Sequence, residues 1–315
     1  MQLAFLFPGQ GAQHVGMGRA LAESYALARQ TFDQADDVLG FALSRLCFEG
    51  PEAELRLTAN AQPALLTTSV AMARVLEQEG IVPDFVAGHS LGEYSALVVA
   101  GGLELEPALR TVRRRGEYMQ EAVPVGLGGM AAIVGGDLAA VEVACHEAAQ
   151  GEVVTVANLN CPGQVVISGH LPAVERAVAI VEERRLGKGV MLPVSAPFHC
   201  PLMEEAGRRL ASDLNALDFH DLCCPLVTNT GAQPVQRGAD ARQALLRQMV
   251  LPVAWEASMR CLLSEGVHLF VEIGLKGPLK GMMKKIDRQA QMLVVDGPAS
   301  VTSLRETLRG YGRAQ

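Results

Sequence analysis

Apolar positions along the chain follow two alternating patterns. Short continuous runs at Gln2–Phe7, Asp84–Gly88, Pro225–Asn229, Val267–Ile273 and Gln291–Val295 predict buried strands. Longer stretches with helical spacing lie between them, among them Gly18 to about Leu39 and a stretch that ends near Val99. Turn residues mark the joints, with Pro8-Gly9-Gln10-Gly11 after the first run and His89-Ser90-Leu91-Gly92 after the second. Strands that alternate with helices in this way imply an α/β fold, a parallel sheet with helices on both faces.

A middle block departs from that spacing. Met130–Val134 reads as a strand and Leu138–Ala149 as a helix with Asp137 as its N-cap. Val153–Asn158 and Gln164–Ser168 read as strands around the turn Cys161-Pro162-Gly163, followed by a helix at Leu171–Leu186 and a strand at Gly189–Val194. The order βαββαβ is the ferredoxin-like split βαβ unit. Gly126–Gly129 and Pro193–Pro197 read as the two crossings of an insertion. The expected organisation is therefore a discontinuous large domain, 1–126 and 196–315, that carries a ferredoxin-like subdomain, 127–195.

Composition narrows the function classes. With 49 % apolar and 19 % charged residues, the 315-residue chain can bury a large core. Its 27 Lys+Arg against 34 Asp+Glu give a net charge of −7, which speaks against a nucleic-acid binder. No apolar run approaches the roughly 20 residues of a membrane span. The start, MQLAFLFPGQG, lacks a basic segment and reads as a first strand, not a signal peptide. The seven cysteines are scattered, with no C-x-x-C pair and no histidine at ligand spacing. They read as reduced core thiols of a cytoplasmic protein, and no metal site is expected.

Chemistry concentrates at Gly88-His89-Ser90-Leu91-Gly92, a G-x-S-x-G sequence between a predicted strand and a helix. A sharp turn there lifts the Ser90 hydroxyl out of the sheet and lets the amide of Leu91 face a developing oxyanion. A serine nucleophile needs a base. Adjacent side chains on a tight turn diverge, which disfavours His89, while His146 and His170 read as surface residues of the insertion. His199 lies in a loop stiffened by Pro197 and Pro201 just past the insertion, where catalytic groups concentrate, and is the expected base. Between Ser90 and His199 the only aspartate is the N-cap Asp137, and the glutamates lie on helical stretches among other charges. A Ser–His dyad is therefore expected, its imidazole oriented by something other than a carboxylate.

Six segments carry a resemblance. FPGQG at Phe7–Gly11, QPALL at Gln62–Leu66, GHSLGEYSAL at Gly88–Leu97, RGEYMQEAVP at Arg115–Pro124, NCPGQVVISG at Asn160–Gly169 and the Pro197–Cys200 loop together resemble the malonyl-coenzyme A:acyl carrier protein transacylases, in register over nearly the whole chain. The resemblance implies an α/β-hydrolase-like large domain with a ferredoxin-like subdomain and an active site between them. It makes Ser90 the nucleophile, His199 the base, the backbone amides of Gln10 and Leu91 the oxyanion hole, and Arg115 the partner of the malonyl carboxylate. It implies that the backbone carbonyl of Gln248 holds the His199 ring, and it places Phe198, Gln62 and Met119 in the substrate pocket. Malonyl-coenzyme A and an acyl carrier protein are the implied partners of a monomer that needs no cofactor and feeds fatty acid or polyketide synthesis.

Arg115 also has a physical rationale. A malonyl thioester brings a carboxylate into a narrow, partly dry site, where a fixed bidentate cation suits it. Its neighbours Arg113 and Arg114 read as surface charges. Phe198 is bulky where related domains that accept methylmalonyl groups tend to carry Ser. The chain departs from the family pattern at Leu251, where a polar residue is usual, and at Leu275, where the proline of the Glu272–Pro278 turn is displaced. Lys276, Lys280, Lys284 and Arg288 recur at i, i+4 spacing, either as a solvated face or as a surface for the phosphates of coenzyme A or an acidic carrier. Two rival functions share these residues: a serine-dependent acyl-thioester hydrolase that clears misloaded carriers, and a non-catalytic carrier-docking module.

Overall fold

The computed structural model describes residues 2–124, 126–194, 196–274 and 277–312. Among the described residues ten strands form two sheets: β1 (Gln2–Phe7), β2 (Phe85–Gly88), β3 (Gly128–Val134), β4 (Val154–Cys161), β5 (Gln164–His170), β6 (Lys188–Met191), β7 (Leu226–Val227), β8 (Pro234–Val235), β9 (Val267–Ile273) and β10 (Gln291–Val295). The larger sheet runs β10-β9-β1-β2-β7-β8. Its neighbours are parallel except at the β7–β8 edge, where the short β8 returns antiparallel. All five residues Leu3–Phe7 of β1 are buried, as a strand covered on both faces requires. The strand order reverses beside β1, so the carboxyl ends of β1 and β2 flank the crevice where open α/β sheets place ligands.

The second sheet, β4-β5-β3-β6, is antiparallel throughout. The helices Leu138–Ala149 and Leu171–Glu183 cover one face through Val141, Ala144, Val174, Ala177 and Val181, packed on Ala131, Ile133, Val156 and Ile167. The Asp137 carboxylate caps the first of these helices, accepting from the Ala140 amide at 3.3 Å. Met130, Ala132, Ala157 and Val166, on the strands of the same sheet, join the core of the larger sheet. A short parallel bridge joins the second sheet to Val253, which lies outside the strands of either sheet: Leu159 N–H donates to Val253 O and Val253 N–H to Ala157 O, both at 2.9 Å. That bridge ties β4 to the segment just after Gln248.

Several elements depart from the sequence pattern. The helix expected over 18–39 is two helices, Arg19–Ser24 and Ala26–Leu39, because Tyr25 is extended between them (φ −129°). The strand expected at 225–229 keeps only Leu226–Val227, since Thr228 and Asn229 leave the sheet to serve loops. Cys223 is exposed and Cys261 half-buried, unlike the core thiols expected of all seven. In the basic stripe, Lys280 and Lys284 are exposed on the helix Leu279–Ile286, but Arg288 lies beyond its end. Lys276 and Leu275 fall outside the described residues.

Candidate active site

Ser90 stands on the turn between β2 and the helix Gly92–Val99, with φ 50°. A left-handed serine costs about 1–3 kcal/mol, so other contacts must hold it. The glycines make the turn possible. A Cβ at Gly88 would lie 1.9 Å from the Gly92 carbonyl carbon, and one at Gly92 would lie 2.0 Å from Phe7 O. Asn229 then clamps the turn: its Oδ1 accepts from the Ser90 amide at 2.7 Å and its Nδ2 donates to Gly88 O at 2.6 Å.

His199 reaches this serine from a loop 109 positions away, with Nε2 2.7 Å from Ser90 Oγ. Its Nδ1 lies 2.8 Å from the Gln248 backbone carbonyl. A carbonyl only accepts, so Nδ1 carries the proton and Nε2 is left free to take one from the serine. Burial, with Arg115 nearby, lowers the His199 pKa to about 3, which keeps the ring neutral in the free protein. His89 points elsewhere: its Nε2 meets Asn160 Oδ1 at 2.9 Å, and its ring lies 5.4 Å from that of Trp255. His14, His146, His220 and His268 are exposed, and the half-buried His170 accepts from the Val153 amide.

Arg115 is the third member of the cluster. Its helix, Leu105–Ala122, presents it inward with only 1 % exposure. Nη2 donates to Ser90 Oγ at 3.1 Å and to Gln248 Oε1 at 3.0 Å, while Nη1 donates to Gln62 Oε1 at 2.8 Å. Arg114, by contrast, is exposed and pairs with Asp213, and the half-buried Arg113 pairs with Glu117. Arg115 Nη2 and His199 Nε2 therefore meet on one oxygen, which suits a serine that must shed a proton beside a fixed positive charge.

The sequence pattern did not reveal the wall behind these groups. Glu93, in the interval where the glutamates read as lying on helical stretches among other charges, is fully buried. Its Oε2 accepts from Gln248 Nε2 at 2.5 Å and its Oε1 from the Asn229 amide at 3.2 Å. Burial pushes its carboxyl up to about 7 against the pull of these hydrogen bonds. Gln248 Nε2 also donates to Ser90 O at 2.9 Å, so this side chain serves the turn as well as Arg115. No periodicity in the sequence signals Asn229 or Glu93; each is recognisable only by what it touches.

A cavity of about 340 Å³ opens onto the cluster. Gln10, Leu91, Met119, Met130, Leu192 and Phe198 line it together with Ser90, Arg115 and His199. The Gln10 side chain is pinned by Thr58 Oγ1 at 3.1 Å. Gln62 is not on the cavity wall but stands behind Arg115, its Nε2 3.4 Å from Met119 Sδ. Leu251 is 41 % exposed, so its apolar side chain faces outward. A larger cavity of about 440 Å³, lined by Val70, Arg74, Leu103 and Cys223, contains none of these groups. The arrangement provides what acyl transfer requires: a serine, a neutral base, a buried cation and an enclosed space.

Known proteins resemble this chain over nearly its whole length. Residues 4–294 match the family model described as acyl transferase domain. A malonyl CoA-acyl carrier protein transacylase of Bacillus subtilis (strain 168) is 46 % identical over 309 residues, 98 % of each chain. The Escherichia coli (strain K12) protein of the same name is 44 % identical over 306 residues, covering 97 % of this chain and 99 % of that one. Among solved structures, an acyl carrier protein S-malonyltransferase from Vibrio cholerae superposes with a TM-score of 0.94 at 43 % identity, over 96 % of this chain and all of that one. A malonyl-transacylase in complex with its type II PKS acyl-carrier protein superposes with a TM-score of 0.95 at 42 % identity, covering 98 % and 100 %.

Proposed function

The chain belongs to the acyl transferase domain family, and we propose that it moves a malonyl group from malonyl-coenzyme A to the phosphopantetheine thiol of an acyl carrier protein. The observation that carries this reading is the buried Arg115 guanidinium, 3.1 Å from the nucleophile oxygen. A general serine hydrolase has no use for a desolvated cation there; a substrate with a free carboxylate does. The near full-length relatives bearing the transacylase name support the same reaction.

In the first half-reaction, Ser90 Oγ passes its proton to His199 Nε2 and forms a bond to the thioester carbon. The amides of Gln10 and Leu91 receive the oxyanion. As the carbon–sulfur bond breaks, His199 returns the proton to the departing coenzyme A sulfur. In the second half, the carrier thiol gives its proton to His199 and attacks the malonyl-serine ester, and Ser90 leaves with that proton. Arg115 holds the malonyl carboxylate throughout. Phe198, beside the base, crowds the α-carbon. The product serves fatty acid or polyketide synthesis in the cytoplasm, with the chain acting as a monomer.

Two variants test this assignment through kcat/KM for malonyl-, methylmalonyl- and acetyl-coenzyme A. Arg115→Ala strands the malonyl carboxylate without its charged partner, at about 2–5 kcal/mol, so malonyl transfer falls roughly 30- to 5,000-fold. Acetyl transfer, which makes no such contact, changes little. A variant that keeps the wild-type malonyl preference would remove Arg115 from substrate recognition. Phe198→Ser relaxes the exclusion of the methyl branch, an effect of about 1–3 kcal/mol. Unchanged methylmalonyl discrimination would leave Phe198 as loop packing.

A further inference from the structure

We infer that Glu93 is a positioning residue for malonyl selectivity, acting on Arg115 through the side chain of Gln248. This rests on the reading of Arg115 as the partner of the substrate carboxylate. Hydrogen-bond polarity fixes how the Gln248 amide lies. Gln248 Nε2 faces two acceptors, Glu93 Oε2 at 2.5 Å and Ser90 O at 2.9 Å. With the amide nitrogen held there, Gln248 Oε1 must face the other way, and it meets Arg115 Nη2 at 3.0 Å. The orientation of the amide is thus set by the carboxylate together with Ser90 O, and the Arg115 fork is anchored by it.

The chemistry of position 93 is specific. Both Glu93 oxygens accept from N–H donors, Gln248 Nε2 on one side and the Asn229 amide at 3.2 Å on the other. A carboxylate satisfies both. A glutamine there presents its own N–H₂ to one of them, so either the Asn229 contact is lost or the Gln248 amide turns over and points a donor at Arg115. Groups at the end of this chain are buried: Glu93 and Gln248 are 0 % exposed and Arg115 1 %. Glu93 and Gln248, which do not line the cavity, therefore have no water to repair a mismatch between them. Gln62 Oε1 holds Nη1 independently, so loss of the Gln248 anchor leaves Nη1 in place and Nη2 on Ser90 Oγ, the reacting atom, without its fixed acceptor behind it.

Charge alone predicts the opposite sign. Removing an anion close to Arg115 leaves the site more positive and favours a malonyl carboxylate over an acetyl group. A fall in the malonyl-to-acetyl ratio of kcat/KM therefore reports the relay through Gln248. The experiment measures that ratio for wild type, Glu93→Gln, Gln248→Leu and the double variant. Gln248→Leu keeps the backbone carbonyl that orients His199 but deletes the amide.

Each single variant is expected to lower the ratio about 5- to 150-fold, the range for one unsatisfied buried donor. In the Gln248→Leu background, Glu93→Gln should lower it no further, because the two residues act along one path. A ratio that is unchanged or raised in Glu93→Gln, or equal losses on both donors with a lower Tm, overturns the inference. So does a further loss of similar size in the Gln248→Leu background. If Glu93→Gln does not fold, Gln248→Leu alone decides: retention of the wild-type ratio refutes the relay. Arg115→Ala separates the two levels. Discrimination lost there but kept in Glu93→Gln overturns only the role of Glu93, whereas discrimination kept in both overturns the reading of Arg115 itself.

Discussion

Ser90→Ala is expected to abolish the covalent intermediate and to lower malonyl transfer by about 10⁴-fold or more, the scale seen when a serine nucleophile is removed. Wild-type protein incubated with malonyl-coenzyme A and no carrier should gain the mass of one malonyl group on the peptide that contains Ser90. The size of the effect follows from the geometry. Ser90 Oγ alone both donates to His199 Nε2 at 2.7 Å and accepts from Arg115 Nη2 at 3.1 Å, and no neighbouring hydroxyl shares that arrangement among the described residues. Alanine also leaves the Asn229 clamp intact, since Asn229 binds the backbone and not the side chain. A malonyl adduct on the alanine variant at the wild-type level would move the nucleophile elsewhere.

His199→Ala should retain the fold and slow serine acylation by about 10²–10⁴-fold, the usual contribution of a positioned base. A pH profile adds a second readout. Burial holds the His199 pKa near 3, well below the ordinary histidine value of 6.5. The group is lowered, so it gains its proton only at acid pH. With acetyl-coenzyme A, which does not call on Arg115, and with Glu93→Gln, which removes the carboxyl that burial raises to about 7, acylation should therefore stay flat as pH falls from about 8 to about 5. An ordinary imidazole would lose most of its free base over that interval. A profile that bends near 6.5, or a large loss in His89→Ala or His14→Ala without one in His199→Ala, would contradict the assignment.

The parts of the site that were legible in the sequence are those built from neighbours in the chain. The strand, turn and helix around Ser90 follow from residues within a few positions of one another. Gly88 and Gly92 are demanded by backbone contacts that leave no space for a Cβ. The βαββαβ order of the second sheet was likewise readable, because each strand and helix carries its own period and the tight turn at Pro162-Gly163 joins β4 to β5. His199 was reached by setting aside His89, His146 and His170 and by its loop stiffened by proline. The family resemblance, rather than spacing, supplied Arg115 and Gln248.

What the sequence by itself determined, then, is the alternation of strands and helices, the nucleophile turn and the residue types available for acyl transfer. Those are local matters, set by periodicity and by steric limits on a few backbone angles. The tertiary structure alone decided which polar groups lost their water. Glu93 reads as an ordinary charge near the start of a helix, yet partners 136 and 155 positions away enclose it completely. Asn229 reads as the end of a strand and becomes the clamp on the serine turn; Gln62 reads as a pocket residue and instead braces Arg115 from behind. The physical reason is that the hydrogen-bond partners of a buried polar side chain are fixed by which elements pack around it. That packing brings together segments whose separation in the chain carries no record of the contact.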